Sequence, residues 1–451
     1  MRQANSLLYI LALFLFSGCL KHSEQPSETL LSSDHNNITG TNRKNIIVFL
    51  MDDIGYEVPG YTGGQSYQTP NLDAAATKGI TYPYCHSAPL CSPSRFMLLT
   101  GKYNMQNYTV WGKMDPSNKT IANMFQEAGY ATCVTGKWQF DGGLASILAF
   151  GFDSSCVFDP YTTGTGGDED THYPRYKNPG IYSNGFKWPD AQTNNKYGPD
   201  IFLQYAINFI DSCHKNNKPF FIYFSSALCH APFSPTPDDV ASFKSWDPKT
   251  SVGGKRWYPS MVKYMDKLFG KLQHHLDSMK LSDNTAIFAM GDNGTPPAIT
   301  SMWNGKPVTG QKGRTTEGGT HVPFFVTGLG KGIDTGLVDF TDFMPTLADV
   351  CNIPLPARYG ILDGYSFWPK GGRRPYVFCY FDANTAGPNT GLAANSWCQD
   401  KTYKSFLNNK FYDISTAPEV LTQKAYMTPQ QKQVNQQQKA FINIKLAEKV
   451  Q

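Results

Sequence analysis

The sequence lacks a strong charge imbalance, a charge-rich composition and any Cys-x-x-Cys pair. Its 40 Lys and Arg residues against 36 Asp and Glu residues leave a net charge of +4 over 451 residues, which excludes the strongly basic character of a dedicated nucleic-acid binder. Charged residues make up 17% and hydrophobic residues 40%, which excludes the composition of a disordered chain. The length predicts two or three domains, or one large α/β domain with an appendage.

The sequence also lacks an apolar run long enough to cross a bilayer near its start. Residues 7–16 are apolar and follow Arg2, but a spanning helix needs about 20 residues, so residues 1–18 are predicted as a signal peptide. Ser and Gly directly before Cys19 resemble a bacterial lipobox, which predicts lipidation of Cys19 and membrane anchoring. Residues 19–43 are predicted as a flexible tether. We expect an exported protein, anchored by lipid at the bacterial cell envelope (outer membrane or periplasmic face), with a soluble periplasmic or secreted protein as the alternative.

Export permits disulfides among the ten cysteines, although their spacing shows no regular framework. Besides Cys19 and Cys91, eight cysteines are expected to be a mixture of buried small side chains and one or two bridges: Cys85, Cys133, Cys156, Cys213, Cys229, Cys351, Cys379 and Cys398.

From Asn45 onward, short apolar runs alternate with helical patterns. Strand candidates are 45–51, 130–134, 219–225, 285–290 and 322–327, and helix candidates are 71–78, 93–101, 118–128, 200–214, 257–280 and 341–351. Continuous apolar strands separated by helices are buried on both faces of a sheet. We therefore predict an α/β fold with a large, mainly parallel sheet flanked by helices.

Two segments depart from this alternation. Residues 154–200 are dense in Gly, Tyr, Asn, Asp and Pro, which predicts a long functional loop or an inserted hairpin. Beyond about residue 370, short strand-like pieces precede a Gln- and Lys-rich helix opened by Thr428-Pro429. We therefore predict a catalytic domain over 44–370 and a small C-terminal α+β subdomain over 371–451.

Polar side chains directly follow two of the apolar strands. Asp52 and Asp53 end the first run, and Asp292 and Asn293 end the run at 285–290. Ligands of open α/β sheets bind at the carboxyl ends of strands, and these oxygen donors suit Ca²⁺, with Mg²⁺ possible. Turn formation is the alternative for either pair alone. Their joint occurrence favours a cation site.

Residues 91–95 read Cys-Ser-Pro-Ser-Arg. With Pro93 at the first helical position, Cys91 lies just before a helix N-terminus, where the dipole and free N–H groups favour an anion and an ionised nucleophile. Arg95, one turn further along, can return toward Cys91 with a fixed positive charge. The pattern indicates an activated cysteine beside an anion site, although a lone cysteine is more often structural.

This pentapeptide resembles the Cys-x-Pro-Ser-Arg motif of type I sulfatases, in which the cysteine is oxidised to Cα-formylglycine. Further motifs of that family match in order over about residues 44–370: the opening strand with Asp52-Asp53, Thr69-Pro70-Asn71-Leu72-Asp73, Gly129-Tyr130 to Gly136-Lys137-Trp138, the segment 219–233 with His230, Gly291-Asp292-Asn293-Gly294, and Lys312 to Glu317-Gly318-Gly319. The chain is similar to the bacterial arylsulfatase and polysaccharide sulfatase branch that carries Gly-Lys-Trp-Gln.

The resemblance implies an alkaline-phosphatase-like sandwich and the hydrolysis of sulfate esters. It also implies a partner, the formylglycine-generating enzyme, that converts Cys91 to 3-oxoalanine. One oxygen of the hydrated aldehyde would attack sulfur, and the second hydroxyl would then expel sulfate, so that covalent catalysis divides one difficult step into two.

Further roles follow from the same resemblance. The metal would be held by Asp52, Asp53, Asp292, Asn293 and the oxidised side chain of Cys91, and it would bind sulfate and lower the pKa of the nucleophile. The catalytic set would add Arg95, Lys137, Lys312 and His230. The two lysines would stabilise charge on the sulfuryl oxygens, and His230 would protonate or position the leaving oxygen.

Two positions depart from the family pattern. Gln139 stands where the family usually has His, and a Gln side chain can hydrogen-bond but cannot transfer a proton at neutral pH. Either Gln139 positions a formylglycine hydroxyl or activity is reduced, and we expect an active enzyme because this variant recurs in a branch of bacterial sulfatases. His321 stands where Arg is usual, at a position expected to face the fold.

The substrate expected from these features is a sulfated carbohydrate, with a marine algal polysaccharide or its oligosaccharides (ulvan, carrageenan or fucoidan) favoured over animal glycosaminoglycans. The loop over 154–200 offers sugar-stacking aromatics and sulfate-reading cations, unless it only packs on the core: Tyr161, Tyr173, Tyr176, Tyr182 and Trp188, with Arg175, Lys177 and Lys187.

Two other functions remain open. One is a phosphonate monoester or phosphodiester hydrolase, and the other is a catalytically silent, polyanion-binding surface protein. A two-zinc phosphatase is disfavoured, because the candidate ligand pairs contain no His.

Overall fold

The computed structural model describes residues 43–106, 108–110, 112–138, 140, 142–158, 175–369, 374–381, 396–415 and 419–448. The predicted signal peptide, almost all of the predicted tether, Cys19 and Gln139 lie outside these residues. Within them, no helix combines the length and the apolar character needed to cross a membrane.

The strands of the described residues form five sheets. In chain order they are β1 Asn45–Met51, β2 Ile80–Thr81, β3 Cys85–His86, β4 Tyr108–Val110, β5 Lys113–Met114, β6 Ala131–Gly136, β7 Ser154–Phe158, β8 Ile181–Ser183, β9 Phe186–Lys187, β10 Phe220–Ser225, β11 Thr285–Gly291, β12 Thr300–Trp303, β13 Lys306–Thr309, β14 His321–Val322, β15 Phe324–Thr327, β16 Gly332–Ile333, β17 Val338–Asp339, β18 Val377–Cys379, β19 Trp397–Gln399, β20 Tyr403–Phe406, β21 Phe411–Asp413 and β22 Val420–Leu421.

The α-helices of the same residues lie mostly between these strands. They are α1 Pro70–Lys78, α2 Cys91–Thr100, α3 Ile121–Glu127, α4 Gly143–Ala149, α5 Asp190–Thr193, α6 Gly198–Lys215, α7 Val240–Ser245, α8 Tyr258–Ser278, α9 Glu317–Thr320, α10 Phe343–Val350 and α11 Pro429–Ala447.

The largest sheet has ten strands in the order β16-β2-β15-β11-β1-β10-β6-β7-β8-β9. Its centre, from β11 through β1, β10 and β6 to β7, is entirely parallel. Antiparallel strands extend it on both sides. The predicted mainly parallel sheet is therefore confirmed, and the parallel strands bring their carboxyl ends to one edge.

Alternate residues of β1 belong to two hydrophobic cores, because successive side chains of a strand point to opposite faces. Ile46, Val48 and Leu50 pack with α2, α3 and α10, whereas Ile47 and Phe49 pack with α1, α6 and α8. Helices cover both faces of the sheet, which explains why every residue of β1 is buried.

The C-terminal region forms a second, five-stranded antiparallel sheet in the order β18-β19-β20-β21-β22. Helix α11 packs against it: Gln438 accepts a hydrogen bond from the Ser405 hydroxyl at 2.6 Å. The helix begins after Thr428, whose hydroxyl accepts a hydrogen bond from the N–H of Gln431, with Pro429 at the first position as predicted. The predicted small α+β subdomain is confirmed.

The segment over 154–200 differs from the prediction in one respect. Its first part is not a loop, because β7 adds a parallel strand to the main sheet. Strands β8 and β9 then form an antiparallel hairpin around Asn184-Gly185 that prolongs the sheet. The predicted inserted hairpin is present, whereas Tyr161 and Tyr173 lie outside the described residues.

The cysteine prediction was partly wrong. None of the eight candidates forms a bridge within the described chain. Seven of those eight are buried, and Cys351 is half-buried. A large apolar core removes the need for crosslinks, and these thiols serve as small apolar side chains.

Candidate active site

The Asp52–Asp53 and Asp292–Asn293 pairs come together at the carboxyl ends of neighbouring strands. Strands β1 and β11 are parallel, with Met51 opposite Gly291, so the residues that follow each strand are adjacent. The N–H of Asp53 donates to Oδ1 of Asp292 at 3.0 Å. Asp52, Asp53, Asp292 and Asn293 are all buried.

Cys91 is the first residue of α2, next to this edge. The prediction that Pro93 occupies the first helical position was wrong. Pro93 lies inside the first turn, and the helix begins at Cys91. Proline is tolerated there because the first N–H groups of a helix have no partner within the helix. Cys91 is only 2% exposed. Ligand atoms of Asp52, Cys91 and Asp292 lie within 4.8 Å of one another.

Arg95 is directed by the helix into the carboxylate cluster. Its Nη2 lies 2.8 Å from Oδ2 of Asp292 and 3.8 Å from Oδ1 of Asp52, and none of these side chains is exposed. Its Nη1 donates to the hydroxyl of Ser225, at the end of β10. Sequence reasoning missed Ser225, and only its position at the end of a parallel strand could have indicated it.

Lys137 enters the same cluster from the end of β6. Its Nζ lies 2.7 Å from Oδ2 of Asp52, and neither side chain is exposed. The turn requires Gly136, whose φ is +97°, because a Cβ there would lie 2.0 Å from the carbonyl oxygen of Ser225.

The carboxylate of Asp53 lies close to three further side chains of the site. Lys312 Nζ lies 2.6 Å from its Oδ1, and Asn293 Nδ2 donates to the same oxygen at 2.8 Å. His230 Nε2 lies 4.0 Å from Oδ2. Lys312 and His230 are partly exposed, at 15% and 18% of their side chains, so they line the open side of the site.

Of the predicted catalytic and metal-binding residues, those that the structure describes therefore form one cluster. It comprises Cys91, Arg95, Lys137, His230, Lys312, Asp52, Asp53, Asp292 and Asn293. His321 faces the fold as predicted: its Nε2 contacts the carbonyl oxygen of Pro83 at 2.7 Å, and its ring stacks on Tyr56.

Burial raises the pKa values of the three aspartates of the site, whereas the neighbouring cations lower them. Burial alone would raise the pKa of Asp52, but Lys137, with other nearby cations, holds the pKa below its usual range. Burial raises the pKa of Asp53 despite Lys312. Burial and repulsion from Asp52 raise the pKa of Asp292 to about 7, although Arg95 opposes this. Three carboxylates in one buried site need additional positive charge to remain ionised together.

Two other groups are held in their neutral forms. Burial raises the pKa of the Cys91 thiol even though Lys137 and Lys312 oppose it, so the ionised cysteine expected from the helix N-terminus is not what the structure favours. Burial, with the charge of Lys312, lowers the pKa of His230 well below its usual range.

The donor set fits a hard divalent cation. Oδ1 of Asp52 and Oδ1 of Asn293 are buried oxygens without a hydrogen-bond partner, and such orphaned acceptors are costly unless something binds them. The described oxygens come from three carboxylates and one amide, and none of the metal candidates is a His, which suits Ca²⁺ or Mg²⁺ better than Zn²⁺.

The basic residues that were expected to bind additional sulfate groups differ in their exposure to solvent. Arg175 and Lys177 are buried, and Arg175 Nη1 lies 3.3 Å from Nδ1 of His230. Lys187 is exposed on β9, and its Nζ lies 6.0 Å from the ring centre of Tyr182. Of the described aromatics, Tyr176 is buried and Trp188 is half-buried. Neither Arg175 nor Lys177 is therefore a solvent-facing sulfate reader.

Three acids, three cations and a cysteine thus meet at the carboxyl edge of a mainly parallel sheet of the alkaline-phosphatase-like fold, where open α/β sheets bind their ligands. The family model described as Sulfatase matches residues 44–353. The chain belongs to the sulfatase family and is a sulfuric ester hydrolase.

A curated relative agrees with this membership, and solved structures agree with the fold. N-acetylgalactosamine-6-sulfatase of Homo sapiens is 31% identical over 396 residues, which cover 80% of this chain and 73% of that protein. The crystal structure of Ps i-CgsB in complex with k-i-k-neocarrahexaose has a TM-score of 0.70 at 20% identity, covering 91% of this chain and 94% of that one. A structure in complex with its substrate D-glucosamine-2-N,6-O-disulfate has a TM-score of 0.68 at 18% identity, covering 90% and 98%. The two structures share the fold.

Proposed function

We propose that this sulfatase removes sulfate from a sulfated carbohydrate, using Cys91 oxidised to formylglycine and a bound divalent cation. The observation that carries the proposal is the position of Cys91. It begins a buried helix, and its sulfur lies within 4.8 Å of ligand atoms from Asp52 and Asp292. The oxidised side chain would supply a geminal diol as the nucleophile that accepts the sulfuryl group.

Asp52, Asp53, Asp292 and Asn293 would hold the cation, for which we propose Ca²⁺, with Mg²⁺ as the alternative. When bound, the cation supplies Lewis-acid stabilisation of the sulfuryl oxygens and lowers the pKa of the nucleophile. Oδ1 of Asp52 and Oδ1 of Asn293, which have no hydrogen-bond partner, support this assignment.

The roles proposed for the basic residues of the site follow from how deeply each one is buried. Lys137 and Arg95 are fully buried against Asp52 and Asp292, so they orient those carboxylates and balance their charge. Lys312 is partly exposed, so its ammonium can reach a sulfate group that enters the site. His230 lies on the same open side, where it would protonate or position the leaving oxygen.

For the substrate we propose a marine algal polysaccharide or its oligosaccharides, of the ulvan, carrageenan or fucoidan type. The likeness in fold to a protein crystallised with neocarrahexaose supports the carrageenan type. A second candidate, an N-acetylgalactosamine 6-sulfate, is favoured by the 31% identity to the human sulfatase of that name.

The test is sulfate release from defined oligosaccharides by protein matured with a formylglycine-generating enzyme. Oligosaccharides of carrageenan, ulvan and fucoidan form one arm, N-acetylgalactosamine 6-sulfate forms the second, and Cys91→Ala protein is the control. We expect release in the first arm that is absent from the control. Release confined to the second arm would replace the algal proposal. Faster turnover of a matched aryl phosphodiester than of the aryl sulfate would favour the phosphoesterase alternative.

We also propose export and lipid anchoring through Cys19, from the composition of residues 1–19. The test compares the full chain with Cys19→Ala in a bacterial host fed radiolabelled palmitate. Label and membrane association that disappear with Cys19→Ala are the expected result. Equal labelling of both proteins, or of neither, would contradict the anchor.

A further inference from the structure

We propose that a cavity in the C-terminal subdomain is a second, non-catalytic site that binds a sulfated stretch of the polysaccharide. This inference deepens the proposed function and rests on it for the chemical class of the ligand. The cavity has a volume of about 540 Å³, within the range of about 300–1,000 Å³ that is usual for binding sites of small molecules. Its walls are α11, the short 3₁₀ helix over Lys424–Tyr426 and the turn between β20 and β21.

One side of α11 supplies most of the cavity wall. The lining residues of this helix recur at spacings of three or four residues, which places them along one side: Lys432, Asn435, Gln436, Lys439 and Asn443. A different side of the helix packs on the C-terminal sheet, where Gln438 and Ile442 are fully buried. The side that lines the cavity therefore lies apart from the packing interface of the helix.

Helix α11 and the segment that carries Lys312 lie on opposite faces of the C-terminal sheet. Lys404 and Ser405 are successive residues of β20, so their side chains point to opposite faces. Nζ of Lys404 lies 3.5 Å from Glu317, close in the chain to Lys312, whereas the hydroxyl of Ser405 donates to Gln438 of α11 at 2.6 Å. The cavity is therefore separate from the catalytic cluster.

The cavity gathers positive charge without an acid to balance it. Three lysines line it, Lys424, Lys432 and Lys439, and none of its described lining residues is acidic. Burial, with repulsion from Lys424, lowers the pKa of Lys439 below its usual range. Lys445 on the same helix is, by contrast, balanced by Asp363 at 3.0 Å. An anionic ligand would supply the counter-charge that the cavity lacks.

The amide side chains of the cavity add a requirement for hydrogen-bond donors. Oδ1 of Asn435 is a buried acceptor that has no hydrogen-bond partner among the described residues. A sulfate ester offers only acceptors and cannot satisfy this oxygen, whereas a sugar hydroxyl donates to it. Asn409, Gln436 and Asn443 place further amides in the lining. Lysines for sulfate groups and amides for hydroxyls together fit a sulfated sugar better than an inorganic anion.

An exposed aromatic ring stands beside the cavity. Tyr426 directly precedes Met427, which lines the cavity, and it is 78% exposed. Its ring offers an apolar face to a sugar and a hydroxyl at its edge. None of the described lining residues is Arg, the side chain whose planar fork matches phosphate, and the net charge of the whole chain is only +4. These features favour a sulfated glycan over a nucleic acid.

The consequence concerns long substrates. A polysaccharide chain held at α11 keeps its other sulfate esters near the active site, so that their capture becomes intramolecular and their effective concentration rises. An aryl sulfate or a short oligosaccharide reaches only the active site and gains nothing from the cavity. The second site thereby adds a preference for polymers.

The direct test measures the binding of sulfated polysaccharides by full-length Cys91→Ala protein, which lacks the proposed nucleophile. In this background, Lys424→Gln/Lys432→Gln/Lys439→Gln removes the charge of the cavity. The control, Lys215→Gln/Lys218→Gln/Lys271→Gln, removes three exposed lysines in and next to α6 and α8 and changes the net charge equally. The probes are κ-carrageenan, ulvan and fucoidan, with chemically desulfated κ-carrageenan as the uncharged reference.

We expect the cavity variant to bind the sulfated probes about 10-fold more weakly, because it loses three ionic contacts at a partly exposed site, and the control to stay within about 2-fold. Tyr426→Ala should weaken binding by about 2–10-fold. Equal affinities of the cavity variant and the control for every sulfated probe overturn the inference. Cavity-dependent binding of DNA or phosphatidylglycerol vesicles that is as tight as that of the polysaccharides overturns the assignment to a glycan.

A kinetic test separates this site from the active site. In matured protein with Cys91 intact, the cavity variant should lose about 10-fold in kcat/KM on the polysaccharide and keep its kcat/KM on 4-nitrophenyl sulfate. An equal loss on both substrates would show that the three lysines act through the active site, which contradicts the inference. Polysaccharide binding that depends on the cavity, without sulfate release by the matured wild type, would instead overturn the proposed function and leave the binding site in place.

Discussion

Lys137 and Asp52 form an ion pair of 2.7 Å in which neither side chain is exposed to solvent. The pair engages only Oδ2 of the carboxylate, whereas Oδ1 has no hydrogen-bond partner. Lys137 thus fixes the rotation of Asp52, which offers a ligand atom within 4.8 Å of ligand atoms of Cys91 and Asp292. A lysine that follows a different strand, β6, therefore orients one carboxylate of the proposed metal site.

Replacing Lys137 by Met should therefore affect both activity and folding. It leaves Asp52 buried without its partner, which costs about 3–5 kcal/mol in the free energy of unfolding, and it should lower kcat by about 10²–10³-fold. Urea unfolding and aryl sulfate turnover measure the two effects. The control is Lys267→Ala, which removes an exposed pair with Asp238 and should cost under about 1 kcal/mol. Equal effects in the two variants would contradict the assigned role.

Removal of the metal should destabilise the folded protein. A cation at about 100 times its Kd adds about 2.7 kcal/mol to the free energy of unfolding, so EDTA should lower the Tm and Ca²⁺ should restore it. Asn293→Ala removes the orphaned amide oxygen of the site and should weaken this response. Asn208→Ala, on the exposed face of α6, serves as the control. A Tm that is insensitive to EDTA in both variants and in the wild type would rule out the proposed site.

The buried His86 should make stability depend on pH. Burial lowers the pKa of His86 to about 3, and its Nδ1 has no hydrogen-bond partner. Because the folded pKa lies below the ordinary 6.5, the unfolded chain takes up the proton first. The stabilisation is complete above about pH 6.5 and decreases as the pH falls toward about 3, with about 2 kcal/mol lost at pH 5.

Urea unfolding at about pH 7.5 and pH 5 measures this loss. In His86→Gln the difference between the two pH values should shrink by about 2 kcal/mol, whereas His214→Asn, an exposed histidine of α6, should leave it unchanged. An unchanged difference in His86→Gln would contradict the lowered pKa of His86 in the folded protein.

Lys404 connects the C-terminal sheet to the segment that carries Lys312. Its Nζ is fully buried and lies 3.1 Å from Glu419 and 3.5 Å from Glu317. Lys404→Met leaves two acids facing each other and should lower the free energy of unfolding by about 3 kcal/mol. Lys410→Met, an exposed lysine next to the same sheet, is the control. Equal unfolding free energies in the two variants would exclude this connection.

Much of the fold could be predicted because its strands are continuous apolar runs. Strand β1 begins and ends where the sequence pattern places it, at Asn45 and Met51, and the parallel order places Asp52 beside Asp292. The short strands β3, β14 and β17 could not be predicted, since two-residue pairings leave no periodic pattern. Tertiary contacts alone create them.

The sequence indicated which residues form the candidate site, but not which lysine pairs with which aspartate. Motif resemblance indicated Lys137 and Lys312, yet nothing in the sequence assigns one to Asp52 and the other to Asp53. The burial of Arg175 was also unpredictable, because an Arg in a Gly- and Tyr-rich segment usually faces solvent. Its contact with His230 depends on the fold of residues 55 positions apart.

The most direct test of the central claim relates the oxidation of Cys91 to catalysis. Preparations co-expressed with graded amounts of formylglycine-generating enzyme are analysed by mass spectrometry of the Cys91 peptide and by the initial rate of sulfate release. We predict a rate proportional to the aldehyde fraction, passing through zero for the all-thiol protein. Full activity in protein whose Cys91 is entirely thiol would contradict the account.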